Sequence, residues 1–168
     1  LANYGKIPFI TSYAMFSPGR NWEQIRTTLA YNNVPVKIIG SHTGVSVGPD
    51  GATHQALEDM AIMRAMPNMN VIYPCDMHEG RKAVLAALEI NSPVYIRYAR
   101  EKTPVFTTAD TPFEFGKAQI MFDCDGSPDG AIISCGPLTH NALLAAAELE
   151  KENIKVRVIN NHTIKPMD

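Results

Sequence analysis

The sequence has no excess of charge of either sign and no long apolar run. Its 15 Lys and Arg side chains oppose 17 Asp and Glu side chains, for a formal net charge of −2. Nucleic-acid-binding domains usually carry a strong basic excess, which is missing here. A membrane-spanning helix needs about 20 consecutive apolar residues, and no run approaches that length. We therefore predict no nucleic-acid partner and no membrane partner, and we expect any anionic ligand to be met by a few placed cations.

Cysteine is also scarce. The three cysteines are widely spaced, form no CxxC pair and are odd in number: Cys75, Cys124 and Cys135. This pattern predicts neither a disulfide framework nor a zinc site, and it is typical of a protein in the reducing cytoplasm.

The first residues lack the features of a secretory leader. Neither a charged start nor a long apolar stretch follows Leu1, and the chain opens without methionine. It ends at Asp168, directly after a predicted strand. We therefore expect both ends to be cuts within a longer protein, and poor solubility for the isolated piece, because a sheet cut from its first strands exposes an unpaired edge.

The residues that are present alternate between short β-branched runs and helical patterns. The predicted strands are Ile7–Tyr13, Val34–Ser41, Asn70–Tyr73, Pro93–Tyr98, Ala131–Cys135 and Lys155–Asn160. The predicted helices are Asn21 to Asn33, His54 to Met66, Asp76 to Ile90 and Thr139 to Lys151. The first opens with Asn21-x-x-Gln24 and the third with Asp76-x-x-Glu79, and Thr139 is the expected cap of the fourth. Strand–helix alternation predicts an α/β fold, an open parallel sheet with helices on both faces, followed by the start of a second α/β domain.

The stretch between Glu101 and Lys117 accumulates Thr, Pro and Asp without periodicity, which indicates a domain boundary. We divide the chain into a first domain at residues 1–105, a linker at 106–118 and a second domain at 119–168. The division rests on composition alone.

The segment Ser41–Gln55 carries the densest set of chemically active residues. It follows a predicted buried strand, the position at which open parallel sheets bind ligands. Three glycines permit tight turns, and two histidines and an aspartate flank them: His42, Asp50 and His54. A ligand site and a structural turn are equally compatible with this composition. A metal site is a weaker interpretation, because the spacing follows no metal-binding motif.

Two further segments follow predicted strands. Arg97 and Arg100 have the donor geometry that suits a phosphate, although a surface ion pair would explain them as well. Tyr13, Phe16 and Arg20 could stack on a flat heterocycle, although aromatic residues at such spacing are more often part of a core. Among the remaining histidines, His78 and His140 are expected at helix starts without a functional role. The setting of His162, after a predicted strand, is not defined by the sequence.

One run is highly specific. It reads Gly48-Pro49-Asp50-Gly51-Ala52-Thr53-His54-Gln55 and continues to Met63-Arg64-Ala65-Met66-Pro67-Asn68-Met69 and Pro74-Cys75-Asp76. This run resembles the G-E-D-G-x-T-H-Q … L-R-x-x-P-N-M … P-x-D pattern of the transketolase family, with Pro49 in place of the usual glutamate. The resemblance covers essentially the whole chain. It is nearest to the C-terminal portion of split transketolases, whose pyrimidine-binding domain precedes a C-terminal domain.

The resemblance implies roles for the candidate residues. Tyr13 and Phe16 match the aromatic pocket for the aminopyrimidine ring of thiamine diphosphate, and His54 matches the catalytic histidine beside the cofactor's reactive carbon. His42 matches the catalytic and substrate-binding histidine of the substrate channel. Asp50 matches the aspartate that reads a substrate hydroxyl, and Arg100 matches the arginine that binds the sugar phosphate.

The resemblance also implies a reaction and partners. The reaction is the transfer of a two-carbon ketol unit from a ketose phosphate to an aldose phosphate in the pentose phosphate pathway. The cofactors are thiamine diphosphate and Mg²⁺ (or Ca²⁺), with the metal held mainly by an N-terminal domain or subunit and by no residue of this chain. The cofactor-activating glutamate is expected before Leu1, and the complete enzyme is expected to be a homodimer or heterotetramer.

Two alternatives stay open. A 1-deoxy-D-xylulose-5-phosphate synthase shares the D-G-x-T-H and Arg-Tyr-x-Arg features, but it usually has Asp-Arg-Ala-Gly where this chain has Ser41-His42-Thr43-Gly44. A noncatalytic assembly or binding subunit is the other alternative, because the activating glutamate lies outside the sequence.

Overall fold

The computed structural model describes residues 1–168. The strands are β1 (Phe9–Tyr13), β2 (Lys37–Ser41), β3 (Asn70–Ile72), β4 (Val94–Arg97), β5 (Gln119–Phe122), β6 (Gly130–Ser134), β7 (Val156–Asn160) and β8 (Thr163–Lys165). The helices are α1 (Trp22–Gln24), which continues into a π-helical turn (Ile25–Ala30), α2 (Asp59–Ala65), α3 (Met77–Glu89) and α4 (Leu138–Lys151). Shorter turns are 3₁₀-helical (Ala2–Tyr4 and Val45–Asp50) or π-helical (Met15–Arg20). No helix combines the length and the apolar character needed to cross a membrane.

The strands form two sheets. The first has the order β1-β2-β4-β3-β8, and its first four strands are parallel. The second has the order β5-β7-β6, with β6 parallel and β5 antiparallel to β7. The predicted α/β architecture is confirmed. The short strands β5 and β8 were not predicted, and β8 joins the first sheet antiparallel to β3 although it lies far along the chain.

Helices cover both faces of the first sheet, because successive strand residues point to opposite sides. On one face lie the helical residues before β2 and the helix α2, in a core of Ile25, Ala30, Ile38, Met63, Val71 and Tyr95. On the other face lies α3, in a core of Ile72, Ala83, Ala87, Val94 and Ile96. The strand β1 is at the edge, where Phe9 and Ile10 are exposed. The expected poor solubility of the piece stays a prediction.

Of the three predicted helix caps, the one at Asp76 is confirmed and those at Asn21 and Thr139 are wrong. The helix predicted from His54 begins only at Asp59, because the glycine-containing loop continues through His54. The Asp76 carboxylate accepts a hydrogen bond from the Glu79 backbone N–H at 3.1 Å, as a helix cap does. Asn21 makes no cap bond, because a π-helical turn leads directly into α1 and leaves its backbone unextended. Thr139 lies inside α4, which begins at Leu138, and its hydroxyl bonds to Asn160 instead.

We call residues 1–105 the first unit and residues 119–168 the second unit. Buried polar groups join them: the Glu79 carboxylate accepts from the Asn160 side-chain amide at 2.7 Å. The Asp76 carboxylate accepts from the backbone N–H groups of Phe106 and Thr107 at 2.9 and 2.7 Å. The start of the predicted linker is therefore fixed against α3. The domain bounds stay a prediction.

His162, whose setting the sequence left undefined, is buried against the ring of Phe113 with 4.2 Å between the ring centroids. Burial lowers the pKa of His162 from 6.5 to about 4. As the pH falls, His162 is therefore protonated near pH 6.5 in the unfolded chain but only near pH 4 in the folded chain. The stability contributed by neutral His162 is present above pH 6.5 and is lost as the pH falls toward 4.

We expect a His162→Gln variant to lose less stability than the wild type between pH 7 and pH 4.5. The full shift in the pKa of His162 corresponds to about 3 kcal/mol in the free energy of unfolding. Melting temperatures of both proteins across that range would measure it, and His78→Gln is the control at a partly exposed histidine. If the melting temperatures of wild type and His162→Gln fall equally with pH, the expectation is contradicted.

Candidate functional site

The carboxyl ends of three neighbouring strands define one edge of the first sheet. In the strand register Tyr13 lies opposite Ser41, and Gly40 lies opposite Arg97. Residues just past these positions therefore meet at one place. Ligands of open parallel sheets bind at this edge.

Four predicted site residues come together there, and we call them the aromatic–histidine cluster: Tyr13, Phe16, His42 and His54. The rings of Tyr13 and His42 stack with 3.7 Å between their centroids and 10° between their planes. The ring of Tyr13 lies nearly parallel to that of Phe16 at 6.1 Å, and His54 meets Phe16 edge-on at 5.2 Å. All four side chains are half-buried. The cluster therefore offers aromatic faces and two imidazoles to solvent.

Hydroxyl contacts orient the imidazole of His42. The Ser41 hydroxyl lies 3.2 Å from the Ser12 carbonyl and 3.1 Å from His42 Nδ1. In the tautomer in which Nδ1–H donates to this hydroxyl, Nε2 of neutral His42 is unprotonated and can accept a proton. The backbone of His42 has a φ of 54°, a conformation that non-glycine residues seldom adopt.

His54 has a similar contact. The Thr53 hydroxyl lies 3.4 Å from the Asp50 carbonyl and 2.8 Å from His54 Nδ1. In the tautomer in which Nδ1–H donates to this hydroxyl, Nε2 of neutral His54 is the free acceptor. Two imidazoles in this tautomer can each receive and return a proton at Nε2.

The loop between these histidines is held at its base. Gly44 N–H donates to the Ala56 carbonyl at 2.8 Å, and the Thr43 hydroxyl donates to the Tyr98 carbonyl at 3.0 Å. Gly48 and Gly51 both have a φ of 72° with strongly negative ψ values, a combination open to glycine alone. Asp50 lies between them, exposed, and its carboxylate has no hydrogen-bond partner in the chain. The loop thus presents Asp50 to solvent near the cluster.

The two arginines that the sequence grouped together have different settings. Arg97 is buried and forms a two-pronged ion pair with Asp59, at 2.8 Å from Nε and 3.3 Å from Nη2. Burial lowers the pKa of Arg97, but the Asp59 hydrogen bonds and charge outweigh it, so the pKa is raised. Arg97 is therefore not free for a ligand. Arg100 is more than one-third exposed, forms a surface ion pair with Glu101 at 3.1 Å and donates to the Val47 carbonyl at 3.2 Å, so it borders the loop.

Asp59 is a residue beneath the site that the sequence did not identify. Asp59 also accepts from the Tyr95 hydroxyl at 2.7 Å and is 1% exposed. A carboxylate at the start of a helix is usually solvated, so its type and position gave no sign of burial. The only sign of its role in the sequence was that Asp59 lies close to the Gly48–Gln55 run.

Two family models match the chain. The transketolase pyrimidine-binding domain matches residues 1–105, and the transketolase C-terminal domain matches residues 116–168. Together they account for nearly all of the sequence.

The chain belongs to the transketolase family.

Similar proteins agree with this membership. A transketolase C-terminal section of Methanocaldococcus jannaschii is 41% identical over all of the chain and 53% of its own length. An apulose-4-phosphate transketolase subunit of Phocaeicola vulgatus is 38% identical, again over 53% of its length. A solved split-gene transketolase, described as an inactive beta4 tetramer, superimposes with a TM-score of 0.88 at 39% identity. It is covered to 53%, so this chain spans about half the length of such transketolases.

Transketolases use thiamine diphosphate, and the aromatic–histidine cluster fits part of it. The exposed faces of Tyr13 and Phe16 suit a flat heteroaromatic ring, and Arg20 lies 5.6 Å from the Phe16 centroid. No group of three or more His, Cys, Asp or Glu side chains that could hold a metal ion is present. The aromatic side chains of Tyr13 and Phe16 are the groups of this chain that fit the ring end of the cofactor.

Proposed function

We propose that this transketolase chain is the substrate-facing part of a split-type subunit that transfers a two-carbon ketol unit from a ketose phosphate to an aldose phosphate. The observation that carries the proposal is the aromatic–histidine cluster at the carboxyl ends of β1 and β2. The cluster combines a stacking surface with two proton acceptors, which is the set of groups this chemistry needs.

The chain would hold the pyrimidine end of thiamine diphosphate with the side chains of Tyr13 and Phe16. When bound, that cofactor supplies the carbon nucleophile that cleaves the carbon–carbon bond. We propose that the diphosphate and its Mg²⁺ (or Ca²⁺) are held by an N-terminal partner subunit, which pairs with this one in a dimer or heterotetramer. The cofactor-activating glutamate would come from a segment outside residues 1–168.

The histidines would act on the sugar. Free Nε2 atoms allow His54 and His42 to accept a substrate hydroxyl proton and return it later in the cycle. Their protonated forms would stabilise negative charge on the sugar oxygens. Asp50 is placed to accept from a sugar hydroxyl, and Arg100 to bind the terminal phosphate. Three free cysteines support a reducing compartment such as the cytoplasm.

Replacement of Arg100 should separate binding from chemistry. We expect Arg100→Ala to raise KM for both sugar phosphates by about 10- to 100-fold, the worth of a charge-assisted hydrogen bond, with kcat much less affected. Steady-state kinetics of the complete enzyme would measure both constants. Arg157→Ala, which removes an exposed ion pair in the second unit, is the matched control and should leave KM unchanged. An equal change in the two variants would exclude the phosphate role.

The proposed function is tested by producing the complete subunit together with its N-terminal partner. Transfer from xylulose 5-phosphate to ribose 5-phosphate would be assayed with thiamine diphosphate and Mg²⁺. A second assay would offer pyruvate and glyceraldehyde 3-phosphate. Activity in the first assay supports a transketolase, and activity only in the second would assign the chain to 1-deoxy-D-xylulose-5-phosphate synthesis. A folded complex that binds the cofactor but is inactive in both would favour the noncatalytic assembly subunit.

A further inference from the structure

Tyr73 is held by two loops of the second unit. Its backbone N–H donates to the His162 carbonyl at 2.8 Å, and its carbonyl accepts from the Gly136 N–H at 3.1 Å. His162 lies between β7 and β8, and Gly136 follows β6, so both partners lie in loops of the second unit. The end of β3 is therefore fixed by the second unit and not only by its own sheet.

The ring of Tyr73 contacts both that unit and a buried cation. Gly136 packs so closely that a Cβ atom there would overlap three atoms of the Tyr73 ring. The Arg97 guanidinium carbon lies 4.5 Å from the centroid of the same ring, a cation–π contact. The Tyr73 ring therefore connects the Gly136 loop with Arg97.

Arg97 in turn lies beneath the loop that carries the histidines. Its Nη2 is 3.7 Å from the position of a Cβ atom on Gly44, and its guanidinium holds Asp59 at the start of α2. Gly44 lies two residues after His42, and Asp59 five residues after His54. The residue after Arg97, Tyr98, accepts the hydrogen bond that fixes Thr43 at the loop base. Arg97 therefore supports both ends of the loop.

We propose that Tyr73 is a positioning residue through which the second unit sets the placement of His42 and His54. The contacts run from Gly136 and His162 through the Tyr73 ring to the Arg97–Asp59 pair, and from there to both ends of the loop. The role deepens the proposed ketol transfer and rests on it. It gives the second unit, which contributes no residue to the aromatic–histidine cluster, a part in the reaction.

The test uses the complete enzyme with its partner subunit and compares Tyr73→Leu with Tyr73→Phe, which keeps the aromatic face. Tyr31→Leu is the matched control at an 84% exposed tyrosine. Diethyl pyrocarbonate would label histidines of the cofactor-free complex, and peptide mass spectrometry would give the rate at each residue. His78 and His140, both outside the cluster, are the internal references.

We expect Tyr73→Leu to change the labelling of His42 and His54 relative to His78 and His140. We also expect a fall in kcat of about 10- to 100-fold, the range for misplaced catalytic groups. Tyr73→Phe should restore most of both properties. If Tyr73→Leu does not fold, Arg97→Lys replaces it, because lysine keeps the charge but not the planar stack. The labelling of His42 and His54 should change in this variant as well.

Labelling that is unchanged at His42 and His54, or altered alike at all histidines, would overturn the positioning role. Labelling needs neither cofactor nor turnover. If the wild-type complex shows no ketol transfer but Tyr73→Leu alters the two histidines alone, the proposed function fails while the positioning contact stands. Turnover that is present in the wild type and lost in Tyr73→Leu without a labelling change would overturn the positioning role and leave the proposed function standing.

Discussion

His54→Ala is expected to lower kcat for ketol transfer by about two to four orders of magnitude, the usual worth of a positioned acid–base group. His54 contacts Phe16 edge-on, and in the tautomer in which Nδ1–H donates to the Thr53 hydroxyl its Nε2 is the free proton acceptor. Alanine removes that acceptor and leaves the loop itself in place, because the hydrogen bond from Gly44 to Ala56 involves backbone atoms only. Steady-state assays of the complete enzyme would give kcat and KM.

The matched control is His78→Ala, which removes a partly exposed histidine on α3 far along the chain from the cluster. Its kcat should equal that of the wild type. His54→Gln adds a second comparison, since glutamine donates a hydrogen bond but does not carry a proton between atoms. Full activity in His54→Ala would remove His54 from the chemistry and would leave His42 as the only histidine of the cluster able to serve.

The largest loss of stability is expected for Asp59→Ala. Breaking a buried ion pair by removing one partner lowers the free energy of unfolding by about 3–5 kcal/mol, because the other charge stays buried and unpaired. Here the loss would leave both the Arg97 guanidinium and the Tyr95 hydroxyl without their acceptor. Thermal and urea denaturation of the complete chain would measure the change.

Asp123→Ala is the control for Asp59→Ala. It breaks the ion pair with Arg157, in which both side chains are at least one-third exposed. Exposed pairs contribute little because solvent screens them, so its melting temperature should stay near that of the wild type. Similar losses in Asp59→Ala and Asp123→Ala would mean that the Arg97–Asp59 pair is not buried in the folded enzyme.

The comparison of the two arginines shows where sequence reasoning stops. Arg97 and Arg100 lie three residues apart at the end of one strand, and both suited a phosphate. The structure pairs Arg97 with Asp59, which is distant in the chain, and leaves Arg100 beside the loop. No local pattern encodes that pairing, because it depends on which helix packs over the strand end.

The sequence by itself determined the family, the α/β alternation and the identity of the cluster residues. Strand and helix periods are local properties, and the Gly48–Gln55 run is specific because glycines, acid and imidazoles must occur at fixed spacing. The sequence therefore predicted the four residues whose rings meet in the structure: Tyr13, Phe16, His42 and His54.

Only the tertiary structure decided how distant segments meet. It added β8 to the first sheet, buried Asp59, His162 and Glu79, and placed Tyr73 between the second unit and Arg97. These contacts join residues far apart in the chain, and their burial reflects packing of whole elements against each other. A residue's type fixes what it can bond to, but the packing of the sheets fixes which partner it has.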